Sequence, residues 1–95
     1  GLAALGEKYL FGWGVDANVQ LGLIYTTSAA EQGSQLGCCL LGNTFAHGNH
    51  GVAKDTKQAT KWYRKMMTCE IQSVIDQELK KTVAWLKEHA TPPEA

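Results

Sequence analysis

Apolar residues recur at helical spacing along almost the whole chain. Leu2, Leu5, Tyr9 and Leu10 fall on one side of a helix over 2–11. Phe11-Gly12-Trp13-Gly14 breaks it, because glycine allows the positive φ of a helix end. Asn18 is placed to cap a second helix, which stops at Gln32-Gly33-Ser34, and Ser34 can cap the next. The third helix spans 36–46 and is rich in small residues (Gly37, Cys38, Cys39, Gly42). A helical glycine costs up to about 1 kcal/mol against alanine, so close packing is expected to compensate. A loop over 47–53 follows. Asp55-Thr56-Lys57-Gln58 then has the form of a capping box for a fourth helix reaching about Thr68. Its apolar side is Ala59, Trp62, Tyr63, Met66 and Met67. Ile71, Val74 or Ile75, Leu79, Val83, Leu86 and Ala90 form a last amphipathic stripe of about five turns. Helices four and five either run together through Cys69-Glu70 or are separate, with Ser73 as a cap. Pro92-Pro93 ends the ordered chain. No segment alternates as a strand does.

The pattern repeats. Leu5-Gly6, Tyr9, Gly12 and Gly14-Val15 return as Leu41-Gly42, Phe45, Gly48 and Gly51-Val52, the two Leu-Gly pairs lying 36 residues apart. A helical period of this size predicts stacked helix-turn-helix units. Such stacks are generally surfaces for holding other proteins.

Composition sets the scale. The chain has 95 residues and formal charge zero, with 44% hydrophobic residues. One folded domain is expected, burying roughly two-thirds of its unfolded surface. No apolar run approaches the ~18 residues of a membrane span, and no signal-peptide pattern is visible at the N-terminus. The neutral total conceals an asymmetry. Before Gly51 the only Lys or Arg is Lys8, and the other eight lie between Lys54 and Lys87. Lys57, Lys61 and Arg64 or Lys65 share one helix face. Acidic residues elsewhere cancel the field, so this face reads as solvated and no nucleic-acid partner is expected.

These residues resemble the Sel-one-like repeat family, relatives of the tetratricopeptide repeats. The second unit carries Leu41-Gly42, Phe45, Gly48, Gly51-Val52, Asp55, Ala59 and Trp62-Tyr63 of that family's pattern. The first carries Leu5-Gly6, Tyr9, Gly12, Gly14-Val15 and Ala29-Ala30-Glu31-Gln32-Gly33. The resemblance implies an all-α, right-handed αα-superhelix with one repeat over about 3–33 and another over about 34–68. A capping helix over about 71–90 completes a domain of 1–91, and 92–95 is a tail. It assigns Gly6, Gly12, Gly14, Gly42, Gly48, Gly51, Asp55, Ala59, Trp62 and Tyr63 to structure. It also implies an adaptor, common in bacterial secretion and envelope assemblies and in eukaryotic quality control, with the first helix of each pair lining the concave side. The polar positions there are Glu7, Lys8, Gln35, Asn43, Thr44 and His47, the expected contacts with a protein or peptide. Trp13 either folds back on the core or stands out as a binding hot spot.

Departures from the family pattern predict local adjustments. Asn18 replaces the capping Asp, Gly22 replaces Ala, and Tyr25-Thr26 replaces Trp-Tyr, a loss of volume that Trp13 is expected to refill in part. The loop Gly48-Asn49-His50-Gly51 is one residue longer than usual, and Met66-Met67 replaces Ala-Ala, pushing the next helix outward or tilting it.

Two rival functions are open. An exposed apolar end would allow a homodimer. Cys38 and Cys39 with His47 and His50 would give a thiol-redox or metal site. Adjacent helical cysteines diverge by about 100°, and the spacing is not that of a zinc module, so no metal or other cofactor is expected. Some cysteine-rich relatives staple their helix pairs, which would set Cys38 or Cys39 against Cys69. Free buried thiols are the alternative. Gly-x-Ser-x-Gly, Gly-x-x-x-x-Gly-Lys and His-Glu-x-x-His are all absent, and no enzymatic activity is expected.

Overall fold

The computed structural model describes residues 1–70 and 72–89. Among them are five α-helices and no strand: α1 Leu2–Phe11, α2 Val19–Glu31, α3 Gln35–His47, α4 Thr56–Met67 and α5 Asp76–His89. A 3-10 turn at Asn49–Gly51 lies between α3 and α4. Helix α1 pairs with α2 and α3 with α4, and α2 packs on α3 to stack the two pairs.

The two units are built alike down to individual hydrogen bonds. Gly12 and Gly48 both take the left-handed conformation after their helices, at φ 72° and 65°. The side chains of Asn18 and Asp55 accept from Leu21 N and Gln58 N, each at 3.1 Å. The backbone N–H of the same two residues donates back to the first helix of its pair, Asn18 to Tyr9 O (2.8 Å) and Asp55 to Phe45 O (2.9 Å). The Asp55 amide is therefore already used by tertiary structure, and the reciprocal arm of the expected capping box is replaced by this bond. The extra residue of the second loop is absorbed by His50, which takes φ 58° inside the 3-10 turn. This conformation is uncommon outside glycine, and histidine tolerates it better than most.

Close approach explains the small residues of the first helices. A Cβ on Gly42 would collide with the ring of Tyr63, and one on Gly6 would collide with Thr26, the equivalent residue of α2. Tyr25 stacks on Tyr9 with ring centres 5.8 Å apart. The space beside Gly22 is taken by Leu10, where a Cβ would lie 2.9 Å from that side chain. Leu10, and not Trp13, makes up the lost volume.

The core runs through α3 and α4. Cys38, Leu41, Ala59, Tyr63 and Met66 are almost wholly buried. Helix α5 closes over it through Leu79, Trp85 and Leu86, and Val74 ahead of that helix packs on the same cluster. The ring of Trp85 meets Tyr63 edge-on at 5.0 Å. Helices α4 and α5 are separate. The last helix has 14 residues, about four turns, and begins at Asp76, three positions beyond the expected Ser73 cap. Its buried centre is Thr82, whose hydroxyl donates to Glu78 O at 3.0 Å and lies 3.9 Å from Met66 Sδ. Val83, expected on the buried stripe, is 36% exposed and Ile75 65%. The Ile71 and Ala90 ends of that stripe and the Pro92-Pro93 stop lie outside the described residues.

The basic side of α4 is largely solvated, with Lys57, Lys61 and Arg64 exposed. The ammonium groups of Lys61 and Lys65 lie 4.7 and 5.5 Å from the Trp62 ring centre. Their stems shelter an indole that is 6% exposed.

Candidate partner-binding groove

Helices α1 and α3 and the start of α5 enclose a hollow of about 340 Å³. Leu40 and Cys39 of α3 form its floor, and both are buried. Its sides carry Phe11 and Trp13 from the end of α1, Leu36 from α3, and Val74 and Ile75 from the approach to α5. Phe11, Trp13 and Ile75 are 45%, 56% and 65% exposed, three large apolar side chains around one hollow. A second, more polar hollow of about 430 Å³ is lined by Asn43, His47, Asn49, Tyr63, Glu78, Lys81 and Thr82. Asn43 and Glu78 border both, so the two hollows lie side by side and are taken together as the groove.

Trp13 neither folds back on the core nor stands alone. Its indole stacks on Phe11 with centres 4.9 Å apart and planes at 19°, and Phe11 in turn meets His50 edge-on at 4.9 Å. This row ties the break after α1 to the loop after α3 and fixes the rim of the groove.

Of the expected contact residues, Glu7, Trp13, Asn43 and His47 border the groove. Lys8 is exposed and does not line it. Gln35 and Thr44 are 1% and 2% exposed, and neither lines the groove. Thr44 turns its hydroxyl back to Leu40 O at 2.7 Å. Gln35 is a clamp: its amide donates to Met66 O (3.2 Å) and Gln72 Oε1 (2.8 Å), while its oxygen accepts from Ser73 N (2.7 Å) and Val74 N (2.9 Å). Every hydrogen-bonding position of that side chain is used, and residues 72–74 are held where Val74 and Ile75 reach the groove.

The phenol of Tyr63 donates to Asn43 Oδ1, and Asn43 Nδ2 lies 3.6 Å from Cys39 Sγ. Burial pushes the Cys39 thiol up to about 11, with Glu78 and then Glu7 adding to the rise and Asn43 opposing it. Burial likewise raises the Tyr63 phenol. Phe11, Leu36, Ile75 and Glu78 are groove residues that the sequence reading missed. Phe11 corresponds by the 36-residue spacing to His47, a signal that was available. Ile75 and Glu78 enter only through the placement of α5.

The cysteine and histidine alternative is not assembled. Cys39 faces the groove, whereas Cys38 points to the end of α2, with Ala30 O 3.9 Å away. Cys69 approaches the same end, 3.6 Å from Gly33 O. Burial raises the Cys38 thiol to about 11 and proximity to Cys69 adds to it. All three cysteines are free thiols. His50 is engaged with Phe11. Among the described residues no three His, Cys, Asp or Glu side chains are placed to hold a metal ion together.

Two stacked helix-turn-helix pairs with a groove along their first helices define a short α-solenoid. The Sel1 repeat model matches residues 1–34 and 35–66, and the chain belongs to the Sel1 repeat family. No curated protein and no solved structure matches it. Sel1 repeats are in general protein–protein interaction modules. No helix among the described residues is long and apolar enough to cross a membrane.

Proposed function

We propose that this chain is an adaptor that holds a protein or peptide segment in the groove between α1, α3 and the start of α5. The observation that carries this reading is the apolar rim of Phe11, Trp13 and Ile75, left about half exposed around an already formed hollow. Aromatic anchors on a rigid support are the usual centre of binding energy in an interface. The Gln35 clamp and the Trp13-Phe11-His50 row support the two sides of the groove, which lowers the ordering cost of binding. No catalytic step is assigned, in keeping with a family that is typically non-catalytic.

The test is a selection from a phage-displayed library of random peptides on the immobilised chain, followed by affinity measurements on variants. Binding is expected to weaken at least about tenfold on Trp13→Ala and to be unchanged on Ile24→Ala, an equally exposed position on α2 away from the groove. The reverse result would move the contact surface to the outer helices.

A further inference from the structure

The apolar groove is electrically one-sided. Among the described residues that line this apolar hollow the charged side chains are two acids, Glu7 from α1 and Glu78 from α5, while Lys81 lines the adjoining polar hollow. The Glu7 carboxylate makes no hydrogen bond or ion pair to another of the described residues. Glu78 is paired with Lys81 at 3.6 Å, but that lysine is 66% exposed and borders the second hollow, so the pair is weak and open to exchange. The two carboxylates come from different helices and border the same hollow, and both add to the rise of the Cys39 thiol on its floor, for which burial is the larger cause. Next to Glu7, the stacked rings of Phe11 and Trp13 present an aromatic face to solvent.

A purely apolar segment is a poor occupant of such a groove. It would strip water from Glu7 and Glu78 and return nothing, a cost that is recovered only if a cation enters with it. An acidic segment would be repelled. A cation on an apolar segment satisfies every part of the surface, because it neutralises the carboxylates and is attracted to the face of an indole. We propose that the partner segment carries a Lys or Arg beside an aromatic or aliphatic residue, the cation lying between Glu7 and Glu78 and the apolar residue on Phe11, Leu36 and Ile75. This inference rests on the groove being the contact surface.

The peptides selected on the immobilised chain carry the test. They are expected to be enriched in Lys or Arg next to an apolar residue. Their affinity should fall about tenfold on Glu7→Gln and on Glu78→Gln, and should fall further as salt is raised. Glutamine keeps the shape of the side chain, and circular dichroism of each variant verifies that it folds. Peptides weakened by Trp13→Ala yet neutral or acidic in sequence, or indifferent to both glutamine variants, would overturn this inference and leave the groove reading intact. Peptides indifferent to Trp13→Ala, or no enrichment at all, would overturn both.

Discussion

The ring of Tyr63 fills the space that a side chain at Gly42 would need. Tyr63 is 2% exposed and its ring also meets Trp85, so it has little room to retreat. Gly42→Ala is therefore expected to destabilise the fold by about 1–3 kcal/mol, the usual cost of overpacking a filled core, even though alanine is the better helix former. Thermal unfolding measures it. An unchanged or raised midpoint would mean that the ring can move, and that the α3–α4 contact is looser than described.

The clamp at Gln35 sets the position of α5. Gln35→Leu keeps an apolar filler but leaves the amides of Ser73 and Val74 without their acceptor. A loss of about 1–3 kcal/mol is expected, as for other buried polar groups stripped of a partner. Hydrogen exchange should show the loss as faster exchange over 74–89, with α1 and α2 little changed. Uniform acceleration along the chain would instead make α5 an integral part of one cooperative unit.

The thiols give a pH signature. Burial holds Cys38 and Cys39 up at about 11 against the ordinary 9.0, so the fold favours their protonated forms. The stability tied to them is complete below pH 9 and is lost as pH rises through 11. The unfolding free energy should fall over that interval, and Cys38→Ala/Cys39→Ala should flatten the fall. At pH 8 a thiol reagent should label the half-buried Cys69 of the native chain and all three cysteines after denaturation. Rapid labelling of all three in the native chain would contradict this burial.

Solution mass separates the groove reading from self-association. Light scattering across a dilution series is expected to give a monomer throughout, with the groove free for a partner. A concentration-dependent dimer that is abolished by Ile75→Glu would mean that a second copy fills the same apolar rim.

What recurs in the sequence was legible, and what depends on α5 was not. Gly6 and Gly42, Gly12 and Gly48, and Asn18 and Asp55 occur twice at matching positions, so the helix ends and caps followed from the chain alone. Gln35 and Thr44 were misplaced for a physical reason. Helix α3 is enclosed by its neighbours along most of its length, and a polar residue on a central helix does not mark a solvent face. Within α5, Thr82 takes the buried position that its neighbour Val83 was expected to share, since a small hydroxyl satisfied by Glu78 O fits against Met66. The groove itself was only half visible. Glu7, Trp13 and Asn43 lie on the repeated pattern. Ile75 and Glu78 come after residues 72–74, which are held by Gln35, more than 30 residues earlier, a contact that no local spacing announces.

The most direct test maps amide chemical shifts on the isotopically labelled chain as a selected peptide is titrated in. The largest changes are predicted at Glu7, Phe11, Trp13, Asn43 and Glu78, with Ile24, Lys57 and Lys61 on α2 and α4 unmoved. Changes centred on α2 and the basic face of α4, with the groove residues silent, would contradict the account.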